Sequence, residues 1–547
     1  MIAAGLSELE VTSSRPRRLG NVRGPVVSLF RSISRCLFPS APASVSGEEL
    51  ELGRGGRPSA PPPVSAATAT PGDRPGGGGV VSQQPEAKIA ELPDEVLLDI
   101  FDFCRAEFEA FPLAFSGWKW QTLTHVCRRW RHVVLASPRR LDLRIACNAR
   151  TPTRESLDVW PPFPISVTHD CWESIPLDAQ GEENIIAALE QSHRVYEVAL
   201  FGLTNTVLER FAAAMRGPFP ALTHFSLYSL DVTPMALPET FLGGSTPRLR
   251  SFALRGLPFP SLPNFVSSAG HLQLLHLYNI SRAGYISPQA MVAFLPSLSV
   301  LQHLVLDFQD LQSRPIQMTP PPSIRAVLPA LTRFQFSGVG EYLDDFVARV
   351  DTPLLNNLRI TLFLDGVLDT PQLQRFIDRA ERLRPLNQAE IKISFQRIQV
   401  VLGSPTGRPD ALKLDIIFYA LGWEVIVQTC NQFSTFLSKV EQLFISEIPH
   451  DEAGWHGDID NIPWLEVLLP FVSAKSLRVT EKLGPHIAAA LQELTEVTEV
   501  LPALHDVYLE NLQPSGSLWQ AMRPFVSARQ SSDHPVVVQR WERIPES

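Results

Sequence analysis

The chain has 547 residues, 44% of them hydrophobic, and a formal net charge of −9. That length is ample for a sizeable core, and would make about three or four ordinary domains unless the chain is built of repeats. A mild negative charge spread this thinly argues against a general nucleic-acid binder. No apolar run reaches transmembrane length, and the first residues lack the apolar segment of a signal peptide, so no membrane role is expected. The six cysteines, at 36, 104, 127, 147, 171 and 430, contain no Cys-x-x-Cys pair. They make neither a disulfide framework nor a zinc-ligand spacing, and a cytoplasmic or nuclear setting fits them.

Residues 1–87 read as a disordered tail. Pro61-Pro62-Pro63 and Gly76-Gly77-Gly78-Gly79 lie there, with few large apolar residues. Six arginines between Arg15 and Arg35, with no acid among residues 11–47, suggest a solvated basic tail or a basic localisation signal.

Residues 88–145 change character. Glu91-Leu92-Pro93-Asp94-Glu95 reads as a helix start, with Pro at the first helical position and two acids in the first turn. Val96, Leu97, Ile100 and Phe101 then form one apolar stripe. Leu123, Val126, Cys127, Trp130, Val133 and Val134 repeat the pattern in a second helix, where Cys104 of the first and Cys127 of the second read as small core residues. Two such helices cannot build a sizeable core alone, so their faces need the rest of the chain or a partner. At these positions the chain resembles the F-box, the helical module that docks a substrate receptor onto the Skp-family adaptor of a cullin–RING ubiquitin ligase. The matching residues are Leu92, Pro93, Val96, Leu97, Ile100 and Phe101, then Val126, Cys127, Arg128, Arg129, Trp130 and Leu135. By that resemblance they bind the adaptor, Arg128 and Arg129 being left out of the contact set. Two departures bear on the detail of that contact. Glu107 to Gln121 is longer than the usual connection and rich in aromatics, and the Trp that often closes the motif is absent from Ser137-Pro138-Arg139-Arg140-Leu141. A helical hairpin capping the next domain is the plainer alternative.

Residues 146–189 read as a connecting segment, with a strand at Ile165–Thr168. From 190 to 512 an internal repeat of the form Leu-x-x-Leu-x-Leu-x-x-Leu recurs. Its second apolar position falls at 198, 225, 252, 275, 304 and 334, and six weaker copies follow near 358, 391, 412, 443, 477 and 507. The pattern implies a short strand with alternate residues buried, then a helix or irregular return. No single unit buries its own face, so units stack. Helices are expected at Thr206–Arg216, Pro288–Leu295, Glu341–Val350, Thr370–Leu383, Gln432–Val440, Trp464–Val472 and His486–Leu494. This part resembles a leucine-rich-repeat solenoid, so the expected class is α/β: an all-α F-box module followed by an irregular horseshoe. Leu230, Leu257 and Ile280 stand where the repeat usually has a turn-pairing Asn, so these turns must be paired another way. Residues 513–547, with a helix near Leu518–Ser527 and a strand at Val536–Val538, read as a terminal cap.

No phosphate-cradling Gly-rich loop and no Gly-x-Ser-x-Gly elbow occurs. Trp455-His456-Gly457-Asp458-Ile459-Asp460 reads as a solvated loop rather than a metal site, and His169-Asp170-Cys171 lacks a base-orienting partner. No catalytic residue, metal or cofactor is therefore assigned. Residues between buried strand positions face the concave side. That column includes His276, Arg359, Lys392, Lys413, Phe444, Arg478 and Tyr508, and the next column outward has Phe201, Tyr228, Arg255 and Tyr278. Aromatics and Arg anchor interfaces, so Phe201, Tyr228, Tyr278, Arg359, Lys392, Lys413 and Arg478 are the candidate substrate contacts. The four cations, read as aligned on adjacent strands, would favour an acidic or phosphorylated segment. His224, His276 and His303 read as exposed contact residues. An F-box followed by leucine-rich repeats resembles the substrate-receptor subunits of cullin–RING ligases, most of all the large fungal, basidiomycete-like F-box families. That resemblance implies a protein that does no chemistry, binds an unknown protein substrate, and holds it near an E2 enzyme. A repeat scaffold outside any ligase is the alternative.

Overall fold

A computed structural model describes residues 92–109, 120–169, 177–309 except 232 and 234, 325–364, 368–383, 386–394, 397–403, 412–418, 424–448, 462–497, 501–531 except 514, and 534–542. The basic tail, the segment 110–119, Asp170-Cys171 and the loop Trp455–Asp460 lie outside the described residues. The chain divides into two compact units, 1–142 and 143–547.

The described part of the first unit is helical: α1 (Asp94–Glu109), α2 (Trp120–Val126) and α3 (Arg128–Ala136). Pro93 lies just before α1, and its carbonyl accepts the Leu97 N–H, so helical bonding starts where the sequence places it. The second predicted helix is two. Cys127 takes extended backbone, φ −157° and ψ 170°, and its sulfur accepts the Trp130 N–H as the N-cap of α3. A sulfur cap needs its residue outside the helix, so Cys127 is exposed rather than a core residue. Leu97, Ile100, Phe101, Trp120, Leu123, Trp130, Val133, Val134 and Leu141 are this unit's buried apolar residues. Phe101 and Trp130 meet edge to face at 4.9 Å. Arg129 ties the start of α1 by bonding Asp94 (2.6 Å) and the Leu92 carbonyl.

The second unit is mixed α/β. Its strands are β1 (Ile145–Cys147), β2 (Ile165–His169), β3 (Val195–Leu203), β4 (His224–Ser229), β5 (Ser251–Arg255), β6 (Leu274–Ile280), β7 (His303–Phe308), β8 (Ala326–Val327), β9 (Arg333–Gly338), β10 (Val350–Asp351), β11 (Asn357–Leu364), β12 (Gln388–Ser394), β13 (Arg397–Gly403), β14 (Leu412–Phe418), β15 (Gln442–Glu447), β16 (Ser476–Val479), β17 (Asp506–Glu510) and β18 (Val537–Trp541). Between them run α4 (Thr153–Val159), α5 (Ala179–Leu189), α6 (Asn205–Ala214), α7 (Leu262–Ser267), α8 (Pro288–Phe294), α9 (Gly340–Ala348), α10 (Pro371–Arg379), α11 (Glu424–Gln432), α12 (Ser434–Leu437), α13 (Trp464–Leu468), α14 (Gly484–Val497) and α15 (Ser517–Ser531). One 16-stranded sheet takes all strands but β8 and β10, which pair with each other.

The repeat template sets this sheet. Every repeat found in the sequence becomes a strand, and from β3 to β11 neighbours pair template position to template position, whereas β12 meets β15 two residues out, Ile391 facing Ile445. Val198, Phe225, Phe252, Leu275, Leu304, Phe334 and Leu358 form one ladder; Leu200, Leu227, Leu254, Leu277, Leu306, Phe336 and Ile360 form the next. These residues are buried on the helix side. Phe225 packs on Phe241, Phe252 on Phe265 of α7, and Phe334 on Phe346 of α9, at 5.2–5.5 Å between ring centres. Burying each such side chain contributes roughly 1.5–3 kcal/mol. The missing Asn is explained at Leu257 and Ile280, though not at Leu230, whose N–H instead donates to the Leu203 carbonyl. The residue one place earlier turns the chain in left-handed backbone: Gly202 (φ 74°), Gly256 (φ 71°), Asn279 (φ 53°) and Asn511 (φ 52°). Glycine and asparagine tolerate that region best, and the Gly256 N–H donates to the Tyr278 carbonyl at 2.9 Å.

Four readings of the sequence change. Residues 146–189 are not a connection, because β1 and β2 already run parallel to β3. Residues 513–547 do not simply cap the array, because β18 extends the sheet beyond β17. The copies at 391 and 412 are not successive repeats. Their strands, β12 and β14, flank an antiparallel β13, so the spatial order is β11-β14-β13-β12-β15. The predicted helix at Gln432–Val440 likewise resolves into α11, which starts earlier, and the single turn α12.

Candidate functional site

Side chains alternate across a strand. With Phe225, Leu227 and their ladder mates on the helix side, Ser226, Tyr228 and their mates form the other, open face. Following the register, Tyr228, Arg255 and Tyr278 form one row on that face, with Phe201 on one side and the row Asp307, Ser337 and Thr361 on the other, each joined across a register shift. The aromatics form a cluster. Phe201 and Tyr228 lie 4.6 Å apart by ring centre, and Tyr228 and Tyr278 lean toward each other across the intervening β5, 6.2 Å apart. Arg255 sits between the two tyrosines in register. Asp307 accepts the Asn279 N–H at 3.3 Å. Burial holds its carboxyl above the ordinary range, opposed by the Ser337 hydroxyl, the Asn279 amide and the Arg255 charge. Burial likewise raises the Tyr228 and Tyr278 hydroxyls, which therefore stay protonated and able to donate. Phe201, Tyr228, Arg255 and Tyr278 remain half-buried, with part of each ring or head in solvent.

The neighbouring row runs Ser226, Ala253, His276, Val305, Gln335, Arg359, Lys413, Val401, Glu390, Phe444, Arg478, Tyr508 and Gln539. It corrects the basic column. Arg359 and Lys413 are true lateral neighbours, but Val401, Glu390 and Phe444 separate them from Arg478. Lys392 is not in this row. It lies one row over, opposite Gln399 and Ser446, with its ammonium 3.3 Å from Glu390. The antiparallel β13 inserts Val401 into the row, and β12 pairs with parallel β15 two residues off the template, Ile391 facing Ile445 rather than Leu443, which sets Lys392 one row over. Arg478 stacks over Tyr508 at 5.3 Å. His276 is buried rather than exposed, beside Tyr278 at 5.8 Å. Burial, with a smaller effect from nearby His303, pushes its pKa down to about 4, so the imidazole is neutral at neutral pH. His224 and His303 are half-buried.

A second aromatic group closes the far end of the open face. Trp541 of β18 meets Phe444 edge to face at 5.5 Å and donates its indole N–H to the Val479 carbonyl at 3.3 Å. The sequence reading passed over Trp541 because residues 513–547 read as a cap. The signal was present in the alternation Val537, Gln539, Trp541.

In the helical unit the ten predicted adaptor contacts differ in burial. Leu97, Ile100, Phe101 and Trp130 are buried. Leu92 and Leu135 are half-buried, and Pro93, Val96, Val126 and Cys127 are exposed. Val96 is 40% and Val126 49% exposed. The motif residues thus divide between those that hold the helices together and those that present a surface.

Cys147 and Cys430 are buried, which raises their thiols to about 11 and about 12 and keeps them protonated. Among the described residues no group of three or more His, Cys, Asp and Glu is placed to hold a metal ion, and no helix is long and apolar enough to cross a membrane.

No protein-family model matches the chain, and no curated protein matches it. Among solved structures, the leucine-rich-repeat-containing protein LegL7 from Legionella pneumophila aligns over 70% of this chain and 97% of its own, at 11% identity and a TM-score of 0.23.

Proposed function

We propose that the chain is a protein-recognition scaffold that acts as the substrate-receptor subunit of a cullin–RING ubiquitin ligase. The observation that carries the recognition half is the cluster of Phe201, Tyr228, Arg255 and Tyr278 on the open face. Half-buried tyrosines already fixed against each other offer large contact area at small entropic cost, and Arg supplies a directed charge. The adaptor half rests on the F-box resemblance and on the exposed apolar residues Pro93, Val96 and Val126. In this reading the helical unit docks on a Skp-family adaptor and the sheet holds a protein substrate. The protein contributes proximity and no bond-making step of its own.

The recognition half is tested by proximity labelling with the double variant Tyr228→Ser/Tyr278→Ser. Partners captured by the wild type are expected to fall at least about tenfold in the variant, as loss of two interface anchors implies. The thermal transition should move little, because both rings are partly exposed. An unchanged partner set with an unchanged fold would move recognition to the second group, Phe444, Arg478, Tyr508 and Trp541.

A further inference from the structure

Within β4, β5, β6 and β7, Arg255 is the only Lys or Arg and Asp307 the only Asp or Glu. Arg255 is half-buried on the open face, between Tyr228 and Tyr278 in register. Among the described residues its guanidinium makes no hydrogen bond and no ion pair, and neither tyrosine hydroxyl has a hydrogen-bond partner. The Arg255 charge acts on both hydroxyls and on Asp307, so the four groups share one neighbourhood. The acid is nevertheless engaged elsewhere, accepting from the Asn279 N–H and the Ser337 hydroxyl. A guanidinium is donor-only, and the two protonated hydroxyls add donors beside it. Phe201 and the tyrosine rings supply an apolar wall. Converging donors with no acceptor of their own call for a ligand that brings acceptors and apolar surface together.

We infer that Arg255, Tyr228 and Tyr278 bind the side-chain carboxylate of an Asp or Glu inside an extended segment of a protein substrate, with an adjacent apolar residue of that segment on Phe201. This rests on the recognition half of the proposed function and names its substrate class, an acidic and apolar peptide. Charge decides which anion fits. One guanidinium balances one carboxylate, and its planar fork matches the carboxylate oxygens with two parallel bonds. A phosphate ester carries about −1.5 to −2 at neutral pH. Strands β4 to β7 hold no second Lys or Arg to meet that charge, and Asp307 lies close enough to oppose it. His276, beside Tyr278, is buried and neutral and adds none. Position favours an internal residue over a chain end. The sheet continues on both sides of the cluster, to β3 and to β7, so a bound segment can run past it either way. The rings brace one another, Phe201 on Tyr228 at 4.6 Å and Tyr228 on Tyr278 at 6.2 Å, so the donors are arranged before the ligand arrives. Half-burial strengthens a charge-assisted bond made there, which an uncharged amide in the same place cannot match.

The test is selection of random phage-displayed peptides on the folded full chain, followed by fluorescence anisotropy with a synthetic selected peptide blocked at both ends. The wild type should enrich peptides with Asp or Glu next to a large apolar residue. Replacing that acid by its amide should weaken binding at least about tenfold, as loss of a hydrogen bond to a charged group implies. In Arg255→Met the same replacement should cost less than about twofold, because the two changes remove one interaction. The melting temperature should not move, since the guanidinium has no hydrogen-bond or ion-pair partner in the chain to lose. Arg255→Lys gives a second readout if that variant folds poorly. It keeps the charge and loses the fork, so it should bind the acidic peptide more weakly than the wild type and still prefer it to the amide. Four results would each overturn the assignment: a wild-type selection with no acidic consensus, an acid preference equally strong in Arg255→Met, tighter binding with phosphoserine in place of the acid, or tighter binding of a peptide whose own C-terminus supplies the carboxylate. Their meaning is separable from failure of the recognition reading. If Tyr228→Ser/Tyr278→Ser lowers partner capture while the acid proves irrelevant, the open face recognises protein through its rings, and only the carboxylate assignment falls.

Discussion

Trp130→Ala is expected to unfold the helices of the first unit. Trp130 is 6% exposed and packs edge to face on Phe101, itself fully buried. Removing a buried aromatic of this size costs about 3–5 kcal/mol, more than a unit this small is expected to spare. The result should be a loss of helical circular dichroism and of protection from hydrogen exchange across α1 and α3. Val96→Glu should do neither, because Val96 is exposed and its side chain supports no core. The contrast matters for any binding assay. Loss of a partner in Trp130→Ala reports the fold of the module, whereas loss in Val96→Glu reports the contact. Retained helicity in Trp130→Ala would show that the packing between α1 and α3 is not what holds the unit.

A second large effect is expected inside the sheet unit. Arg349 and Asp345 form an ion pair at 2.7 Å, one turn apart at the end of α9, with side chains only 8% and 6% exposed. Arg349→Met leaves the carboxylate buried and uncompensated, at a cost of about 3–5 kcal/mol. The double variant Asp345→Asn/Arg349→Met should regain most of that loss, since no unpaired charge remains. Urea denaturation midpoints measure both. A single variant as stable as the wild type would mean that water reaches this pair.

The repeat was legible because its signal is local. Each strand keeps the template, and the parallel register follows from the need to bury one apolar set against the next. What was not legible is the exception. Val400, Val401 and Leu402 are all buried, so β13 has no alternation to read, and its antiparallel pairing is set by neighbours on both sides. Lys392 left its expected row because β12 pairs with β15 two residues off the template, so that Glu390 and not Lys392 faces Phe444. The turn chemistry was misplaced by one residue, because Gly256 and Asn279 precede the position where the family pattern puts its Asn. Cys127 misled for a related reason. Its spacing fits an apolar stripe, but a helix break at an extended residue turns it outward as a cap. The tyrosine row survived because those residues lie before the interruption, where every strand is parallel to the next.

The measurement that bears most directly on the ligase reading is calorimetric titration of a purified Skp-family adaptor into the folded full chain. A one-to-one complex with a Kd of about 1 µM or tighter is expected, and Val96→Glu should weaken it by at least about tenfold, as a charge forced into an apolar contact implies. Absence of binding by the folded wild type, or equal binding by Val96→Glu, would contradict this account and leave a repeat scaffold with no adaptor contact at α1.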